Sequence, residues 1–488
     1  MDAFNSAILA VQNVLAGYVL LFILVGAGIW LTIQTGFVQV REFGNGWRRL
    51  VNGLSKGDKD EDKSKGGLSA FQAATTAIAG QVGTGNIAGV ATAIAAGGPG
   101  AVFWMWISAF LGMSTIFSEA VLAQIYRRKD ADGNVLGGPV YYILAAFKGN
   151  LGKFLAALFA ILITIALGLC GNAVQANSIS DAFHTAFFAD MTSGFNFAGQ
   201  FVTWDKLIFG ILIAILAWVV FAGGVKRIGH VTERLVPIMA IFYLVGCLII
   251  VVVNFKMIPY TIGIIFHGAF SPEGIAGGAF GISIKEAVRL GIARGLFNNE
   301  AGLGSTPNAH AQANVAHPCQ QGQLAIFSVF TCTMVLTTLT AIVIIITGMC
   351  EPGSIGRAAD TGALFTGVSL TQAAFSTLYG GFGNIFIAIA MLFFAFSTIL
   401  GWYFYGESNI RYLFGKKAKY PYLICVCILI ILGSLVQVET VWNLSDVFNS
   451  AMVIPNVLAV VALTAVVKKS YKNYREEFLP NHPEDGSK

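Results

Sequence analysis

The sequence predicts an all-α polytopic membrane protein with eleven transmembrane helices. Three observations predict this fold class: the composition, the number of long apolar segments, and the one-sided distribution of basic residues between them. Hydrophobic residues make up 56% of the 488 residues, charged residues make up 11%, and the mean hydropathy is +0.72. A soluble protein carries about twice that share of charge. The composition therefore excludes a soluble globular protein.

Eleven apolar segments are long enough to cross a bilayer, which takes about 20 residues. They run over residues 14–35, 68–96, 101–126, 154–180, 207–223, 235–255, 284–312, 323–348, 384–408, 420–436 and 441–467. If the first is set aside, the other ten divide into two sets of five that begin on opposite sides of the membrane. We therefore predict four parts: an extra N-terminal helix with a basic loop, a first five-helix repeat, a connector with a second five-helix repeat, and a tail. Their bounds are 1–67, 68–255, 256–467 and 468–488.

The basic residues predict the orientation. The loop 36–67 is rich in Lys and Arg, so the positive-inside rule places it in the cytoplasm and the N-terminus outside. Of the 30 basic residues, 24 then lie on the cytoplasmic side, and these include the basic residues of the C-terminal tail. Only Lys206, Lys256 and Arg357 lie outside. The first 13 residues lack the basic stretch of a cleavable signal peptide. This distribution explains the net charge of +5 without a nucleic-acid partner.

Neither the cysteines nor the short motifs indicate an enzyme. Most of the seven cysteines fall in apolar segments, so a disulfide framework is not expected. The sequence has no His-Glu-x-x-His, no Walker Gly-Lys-Ser/Thr and no Gly-x-Ser-x-Gly. We predict no catalytic residues and no cofactor. Without a nucleotide-binding domain, any active transport would have to use an ion gradient.

The first repeat opens with a span that glycines interrupt. Gln81-Val-Gly-Thr-Gly-Asn86 lies in its middle. Backbone released from a helix inside a bilayer needs other partners, which an ion or a zwitterion can supply. The alternative is close helix packing, since Gly85 and Gly89 form a small-xxx-small pair. A dinucleotide-binding loop has different spacing and follows a strand. The polar residues Gln81, Thr84 and Asn86 favour a binding site.

The second repeat opens with an interrupted span as well, over Gly295-Leu-Phe-Asn-Asn-Glu-Ala-Gly-Leu-Gly-Ser-Thr-Pro307. Interruptions at corresponding positions of two inverted halves predict a transporter site at the membrane midplane, and a channel need not show them. Glu300 lies in this break, and a carboxylate in a membrane is functional by default. The alternative is a cap on the released amides. For Glu119 we predict a structural role, either an ion pair or a bond to the broken backbone.

Polar residues in three other places are candidates for the same site. Asn172 and Gln175 share one helix face, although hydrogen bonding between helices is an equal explanation. Ser397 and Thr398 could offer two hydroxyls to a cation, although such hydroxyls commonly bond their own helix. Trp402 shares the face of Thr398, so it either lines a small pocket or packs as an ordinary aromatic.

Four motifs in this chain resemble those of the alanine/glycine:cation symporter family, of the sodium:alanine symporter type. They are Gly83-Thr-Gly-Asn-Ile-Ala-Gly89, Gly137-Gly-Pro-Val-Tyr-Tyr142, Val174-Gln-Ala-Asn-Ser178 and Gly295-Leu-Phe-Asn-Asn-Glu-Ala-Gly-Leu-Gly-Ser305. The similarity covers nearly the whole chain. It implies a LeuT-like 5+5 inverted repeat preceded by one extra N-terminal helix. It also implies sodium-coupled, sometimes proton-coupled, uptake of small neutral amino acids across a bacterial or archaeal cell membrane, with some members favouring glutamine.

The resemblance also implies site residues. For the substrate these are Gln81, Gly83, Thr84, Gly85, Asn86, Cys170, Gln175, Phe297, Asn298, Glu300, Leu303 and Trp402. For sodium, the coupling ion, they are Ala79, Val82, Ser397 and Thr398. Gln81 departs from the small residue usual there, which argues against a separate sodium site beside the substrate. We predict a sodium-coupled symporter of alanine or glycine. The alternatives are a sodium- or proton-coupled glutamine transporter, an ion channel, and a membrane-embedded transferase, for which the short loops leave little room.

Overall fold

The computed structural model describes residues 15, 20–56, 67–270, 284–351, 354, 356–357, 364–436 and 438–482. Most of the N-terminal end of the first predicted span and Lys59, Lys63 and Lys65 of the basic loop lie outside these residues. The described chain is almost entirely helical, with two short antiparallel hairpins. This agrees with the predicted all-α class.

The N-terminal part contains three helices. They are α1 (Leu20–Gln34), α2 (Val38–Arg41) and α3 (Phe43–Lys56). The chain turns sharply between α1 and α2, where Gly36 and Phe37 have φ angles of 64° and 61°. Helix α1 packs against α6, and α3 packs along α15.

In the first predicted repeat region the described residues form eight further helices, with short hairpins between some of them. The helices are α4 (Ala70–Gln81), α5 (Val90–Gly97), α6 (Ala101–Tyr126), α7 (Pro139–Ala146), α8 (Gly149–Ile163), α9 (Asn172–Phe187), α10 (Trp204–Ala222) and α11 (Gly224–Val253), the π-helical turns are Gly85–Gly89 and Thr164–Gly171, and the strands are β1 (Arg128–Lys129), β2 (Val135–Leu136), β3 (Gly194–Phe197) and β4 (Gln200–Thr203). The two strand pairs align Arg128 with Leu136 and Gly194 with Thr203. The π turn before α9 continues α8, so both belong to one long helix.

The second half of the chain is also built from helices joined by short helical turns. Its helices are the 3₁₀ turn Phe255–Met257, α12 (Ile258–Phe270), α13 (Ile284–Asn299), α14 (Pro307–His310), α15 (Pro318–Val329), the π turn Phe330–Thr337, α16 (Thr338–Ile346), α17 (Gly367–Tyr379), α18 (Gly381–Phe414), the 3₁₀ turn Lys416–Ala418, α19 (Lys419–Leu435), α20 (Val438–Ala462), α21 (Thr464–Asn473), the π turn Tyr474–Phe478 and α22 (Leu479–Asn481). Each of the eleven predicted segments overlaps one or more of the helices described.

Among the residues that the structure describes, eight helices are long and apolar enough to cross a membrane. They are Ala101–Tyr126, Gly149–Phe187, Trp204–Ala222, Gly224–Val253, Pro318–Ile346, Gly381–Phe414, Lys416–Leu435 and Trp442–Ala462. Helix α11 shows why they need lipid. Its outward side chains, such as Ile241 and Val252, are large and exposed, while Met239 and Tyr243 of the same helix are buried. From Val236 to Val253 the helix is apolar on both its buried and its exposed side, as expected for a membrane span.

Glycines bring the helices around the first break into close contact. A Cβ at Gly401 of α18 would lie 2.9 Å from the amide nitrogen of Gly80 in α4. Only a residue without a side chain fits at that distance. The crossing places the hydroxyl-bearing turn of α18 beside the end of α4.

Candidate functional site

The first predicted break is present. Helix α4 begins with a capping box, in which the Ser69 hydroxyl accepts a hydrogen bond from the backbone amide of Gln72 at 3.0 Å. The helix ends at Gln81, and Val82 has φ −91° and ψ 84°, outside the helical region. The Asn86 carboxamide oxygen accepts a hydrogen bond from the Gly83 amide at 3.1 Å. The polar side chain thereby holds part of the released backbone.

Carbonyl groups released at this break face hydroxyls of α18. The Thr398 hydroxyl donates to the Ala79 carbonyl at 2.9 Å, and the Ser397 hydroxyl lies 3.5 Å from the Val82 carbonyl. Both hydroxyls also contact the Phe394 carbonyl of their own helix, at 3.1 and 2.8 Å. All four residues predicted for the cation are therefore together and buried. Such neutral, hard oxygens suit an alkali or alkaline-earth cation more than a transition metal.

The second predicted break follows α13, and a carboxylate from α6 holds it open. Gly302 and Gly304 have φ angles of 89° and 76°, and their amides each donate to Glu119 at 3.1 Å. The Asn456 amide donates to the same carboxylate. Glu119 is completely buried. Its geometry fits the structural role expected for it, by bonding the broken backbone and not by an ion pair.

Glu300 has different partners. Its backbone is left-handed, with φ 56°, and its carboxylate accepts from the Ser305 hydroxyl at 2.6 Å and from the indole N–H of Trp402. The capping of released amides, which we considered for Glu300, is performed in this structure by Glu119. The Trp402 ring also contacts Phe297 edge-on at a centroid distance of 5.9 Å. A Cβ at Gly171 would lie 2.5 Å from that ring.

The two breaks face each other. A Cβ at Gly85 would lie 3.2 Å from the Cα of Asn298, so the two backbones are in near contact. The side-chain amide of Gln81 donates a hydrogen bond to the backbone carbonyl of Asn299 at 2.7 Å. From α9, the Gln175 carboxamide oxygen accepts from the Thr84 amide at 3.2 Å. Three of the predicted regions therefore converge on one buried place.

Some polar atoms at this place have no hydrogen-bond partner in the described part of the chain. They are the Gln81 and Asn298 carboxamide oxygens and the Thr84 hydroxyl, and all three residues are buried. Buried polar groups are normally paired, so an unpaired cluster needs an explanation. A polar ligand between the breaks would provide one.

Sequence reasoning missed the π turn Phe330–Thr337, which joins both breaks. The side-chain amide of Asn86 donates to the Cys332 carbonyl at 2.9 Å and to the Thr337 hydroxyl at 3.0 Å. The side-chain amide of Asn298 donates to the Thr337 hydroxyl at 2.7 Å. The Cys332 thiol lies 3.3 Å from the Gln81 carbonyl and 3.2 Å from the Asn298 carbonyl. The threonines within an apolar span were the signal that could have identified this turn.

The remaining predicted site residues are near the others in sequence but make different contacts. Asn172 bonds its own helix at Gly168, at 2.9 Å, so of the predicted pair only Gln175 reaches the break. Cys170 is half-buried in the π turn beside Gly171, and Leu303 is buried in the second break.

Arg294, one turn before the second break, pairs with Asp446 at 3.0 Å and lies over the Trp442 ring at 5.3 Å. The pair joins α13 to α20. On the same helix Arg289 pairs with Glu286 at 2.7 Å. The two arginines of α13 are therefore each paired with a carboxylate.

Two interrupted helices that meet at a buried polar site, inside a bundle of membrane-spanning helices, are the features of a secondary transporter. The chain belongs to the sodium:alanine symporter family, which it matches over residues 1–484. It is 38% identical over 475 residues to "Sodium/alanine symporter AgcS" of Methanococcus maripaludis, covering 97% of this chain and 98% of the relative. It is 39% identical over 469 residues to "Probable sodium/glutamine symporter GlnT" of Bacillus subtilis, covering 96% and 90%.

A solved structure shows the same fold. The crystal structure of MhsT in complex with L-phenylalanine aligns with a TM-score of 0.54 at 14% sequence identity, over 83% of this chain and 98% of that chain. The predicted LeuT-like fold is confirmed at this level. The chain is thus a multi-pass membrane protein of an amino-acid symporter family.

Proposed function

We propose that this protein takes up alanine and glycine together with sodium, by alternating access of one site at the two breaks. The family supplies the general reaction, symport of an amino acid with a cation. The observation that carries the proposal is the set of unpaired buried polar atoms between the breaks. Their chemistry complements a zwitterion, because both a donor hydroxyl and acceptor carboxamide oxygens are present.

In this proposal the Thr84 hydroxyl donates to the substrate carboxylate. The carboxamide oxygens of Asn298 and Gln81 accept from the ammonium. Each group is completely or nearly completely buried, so a matching ligand removes a desolvation cost of about 1–3 kcal/mol per unpaired group. A substrate without an ammonium or a carboxylate would leave these groups unpaired and would bind poorly.

The aromatic residues near the second break favour a small substrate side chain. Trp402 is held by Glu300 on one edge and by Phe297 and Gly171 on its ring. Because these contacts fix the indole, it has little freedom to move aside. A methyl group or a hydrogen fits beside such a wall better than the side chain of glutamine. The glutamine alternative rests on the relative GlnT.

For the cation we propose the carbonyls of Ala79 and Val82 with the hydroxyls of Ser397 and Thr398. Gln81 directs its amide to the Asn299 carbonyl, which supports the expectation that no separate sodium site lies beside the substrate. We also propose that the ten spans after α1 form the 5+5 inverted repeat, with the N-terminus outside and the C-terminus in the cytoplasm. The basic loops support that orientation.

Uptake into proteoliposomes tests the proposal. Labelled alanine, glycine and glutamine are offered with an inward sodium gradient, with a proton gradient, and with neither. Accumulation of alanine and glycine that needs sodium and saturates supports the proposal and excludes a channel. Preference for glutamine, or accumulation driven by protons alone, would replace the substrate or the ion that we propose.

A paired substitution tests the cation site. Replacing Ser397 and Thr398 by Ala removes two oxygen ligands, so the sodium concentration for half-maximal uptake should rise more than about tenfold. Thr75→Ala is the matched control, because among the described residues its hydroxyl in α4 bonds only carbonyls of its own helix, Phe71 at 3.0 Å and Gln72 at 3.1 Å. Unchanged sodium dependence in the double variant would assign the cation to another place.

A further inference from the structure

The N-terminal helices carry an apolar surface that the proposed transport does not use. On α1, Phe22 and Ile33 point outward and are 72% and 61% exposed. The exposed strip does not end with that helix. It continues through Phe37, Val40 and Trp47, which are 52%, 60% and 54% exposed. A surface continuous with the lipid-facing side of a membrane span is itself expected to face lipid.

The backbone holds this strip in place. Phe37 has φ 61°, a conformation that bulky residues adopt only where the surrounding structure imposes it. Beyond the turn, α3 lies so close to α15 that a Cβ at Gly46 would be 2.5 Å from the Gln323 carbonyl. Beside this contact α3 exposes Val51 and Trp47, and the Trp47 ring also packs against Phe327 of α15 at a centroid distance of 5.2 Å. Helices with one such face lie in the membrane interface, where tryptophan is enriched.

Two cations contact the turn between α1 and α2, each at a different residue. The guanidinium of Arg41 lies against Gly36, where a Cβ would be 2.9 Å from Nη1. The ammonium of Lys468, on the tail helix α21, donates to the Gln34 carboxamide at 2.9 Å. Within the described ranges no carboxylate is within ion-pair distance of Arg41 or Lys468. The adjacent Glu42 is buried and accepts from the Tyr471 hydroxyl at 2.8 Å.

We propose that this turn binds the headgroup of an anionic phospholipid, on the side that the basic loops predict to be cytoplasmic. The phosphate lies between Arg41 and Lys468, and the acyl chains follow Phe37, Val40 and Trp47. Basic residues beside a membrane-embedded apolar surface attract anionic lipids in this way. A soluble anion would use the cations alone, whereas the lipid uses both the cations and the strip.

The bound headgroup would connect two distant parts of the chain. Lys468 belongs to α21, which the Tyr471–Glu42 hydrogen bond already fixes to α2. The Tyr474 hydroxyl extends the attachment by accepting from Gln323 of α15 at 3.0 Å. An anionic lipid therefore stabilises the contact between the N-terminal helices and the tail.

Native mass spectrometry of the full chain in detergent tests the proposal. Equal amounts of phosphatidylglycerol and phosphatidylcholine with the same acyl chains are added. We expect the wild type to retain phosphatidylglycerol about tenfold better, and Arg41→Gln/Lys468→Gln to retain both lipids equally. Lys148→Gln/Lys153→Gln is the matched control, because these two exposed lysines at the start of α8 lie on the same predicted side but not at the turn between α1 and α2.

A second variant separates charge from folding. Arg41→Lys/Lys468→Arg keeps both cations and should keep the selectivity. Unchanged selectivity in the double Gln variant would overturn the proposal, and so would an equal loss in the control pair. Displacement of phosphatidylglycerol by an equal concentration of glycerol phosphate would show a soluble-phosphate site and would overturn it as well.

Discussion

Replacing Gly83 by Ala tests whether the first break and the hydroxyls of α18 form one cation site. A Cβ at this position would lie 2.3 Å from the Thr398 hydroxyl oxygen and 3.1 Å from the Cβ of that residue. Real Cβ atoms do not approach an oxygen that closely. The hydroxyl must therefore move by several tenths of an ångström, and it is on a β-branched side chain with restricted rotation. Any such movement separates it from the Ala79 carbonyl, now at 2.9 Å.

The magnitude follows from the two interactions involved. Forcing a methyl group into a packed site costs about 1–3 kcal/mol. Each 1.4 kcal/mol that falls on cation binding corresponds to about a tenfold change in affinity. We expect the sodium concentration for half-maximal alanine uptake to rise about tenfold. Binding of alanine at saturating sodium should change much less, because the substrate groups of Thr84 and Asn298 remain.

The measurement is sodium-dependent alanine uptake in proteoliposomes, with Gly89→Ala as the control. Gly89 is six residues further along the same broken helix. Among the described residues, a Cβ there would meet only the Thr84 carbonyl oxygen, at 4.0 Å. The control should transport normally. Normal sodium dependence in Gly83→Ala, or equal impairment in Gly89→Ala, would refute the reasoning.

Three further predictions follow from the second break. Glu119→Gln weakens two charge-assisted hydrogen bonds of about 1.5–3 kcal/mol each, so the melting temperature of the detergent-solubilised protein should fall by several degrees, and an unchanged value would contradict the capping role. Trp402→Ala should let larger neutral amino acids compete with alanine. Trp402→Phe keeps a ring but loses the donor to Glu300, so it should lower alanine affinity without admitting larger amino acids. An unchanged order of competitors in Trp402→Ala would show that the residue does not line the pocket. Arg294→Gln and Asp446→Asn should each slow uptake, and exchanging the two charges should restore part of it; a charge-exchanged variant as slow as the single variants would show that the pair does not act as a unit.

The interruptions could be predicted from the sequence because glycine and polar residues are conspicuous in an apolar span. Gln81, Thr84 and Asn86 stand beside Gly83 and Gly85, and a bilayer leaves such backbone without water. The positions of both breaks are therefore a local property of the chain. Contacts across the bundle are not local. Nothing in the neighbouring residues distinguishes Asn172, which bonds its own helix, from Gln175, which reaches the break.

The two buried carboxylates show the same limit. Glu300 lies within the break, so sequence proximity suggested that it could cap the released amides. The structure gives the contacts to Gly302 and Gly304 to Glu119, which precedes them by more than 180 positions. Cys332 was overlooked for a similar reason, because a thiol in an apolar helix resembles an ordinary packing residue until its carbonyl neighbours are known.

The segment from Ala79 to Asn86 explains why cation and substrate would bind together. Its carbonyls at Ala79 and Val82 face the hydroxyls of α18, while Thr84, two residues further on, has a buried hydroxyl without a partner among the described residues. A cation that draws these carbonyls together also fixes the backbone that positions Thr84. In our proposal the substrate binds the same backbone from the other side. Linkage then requires that each ligand raise the affinity of the other by the same factor, and this one segment would couple amino-acid uptake to the ion gradient.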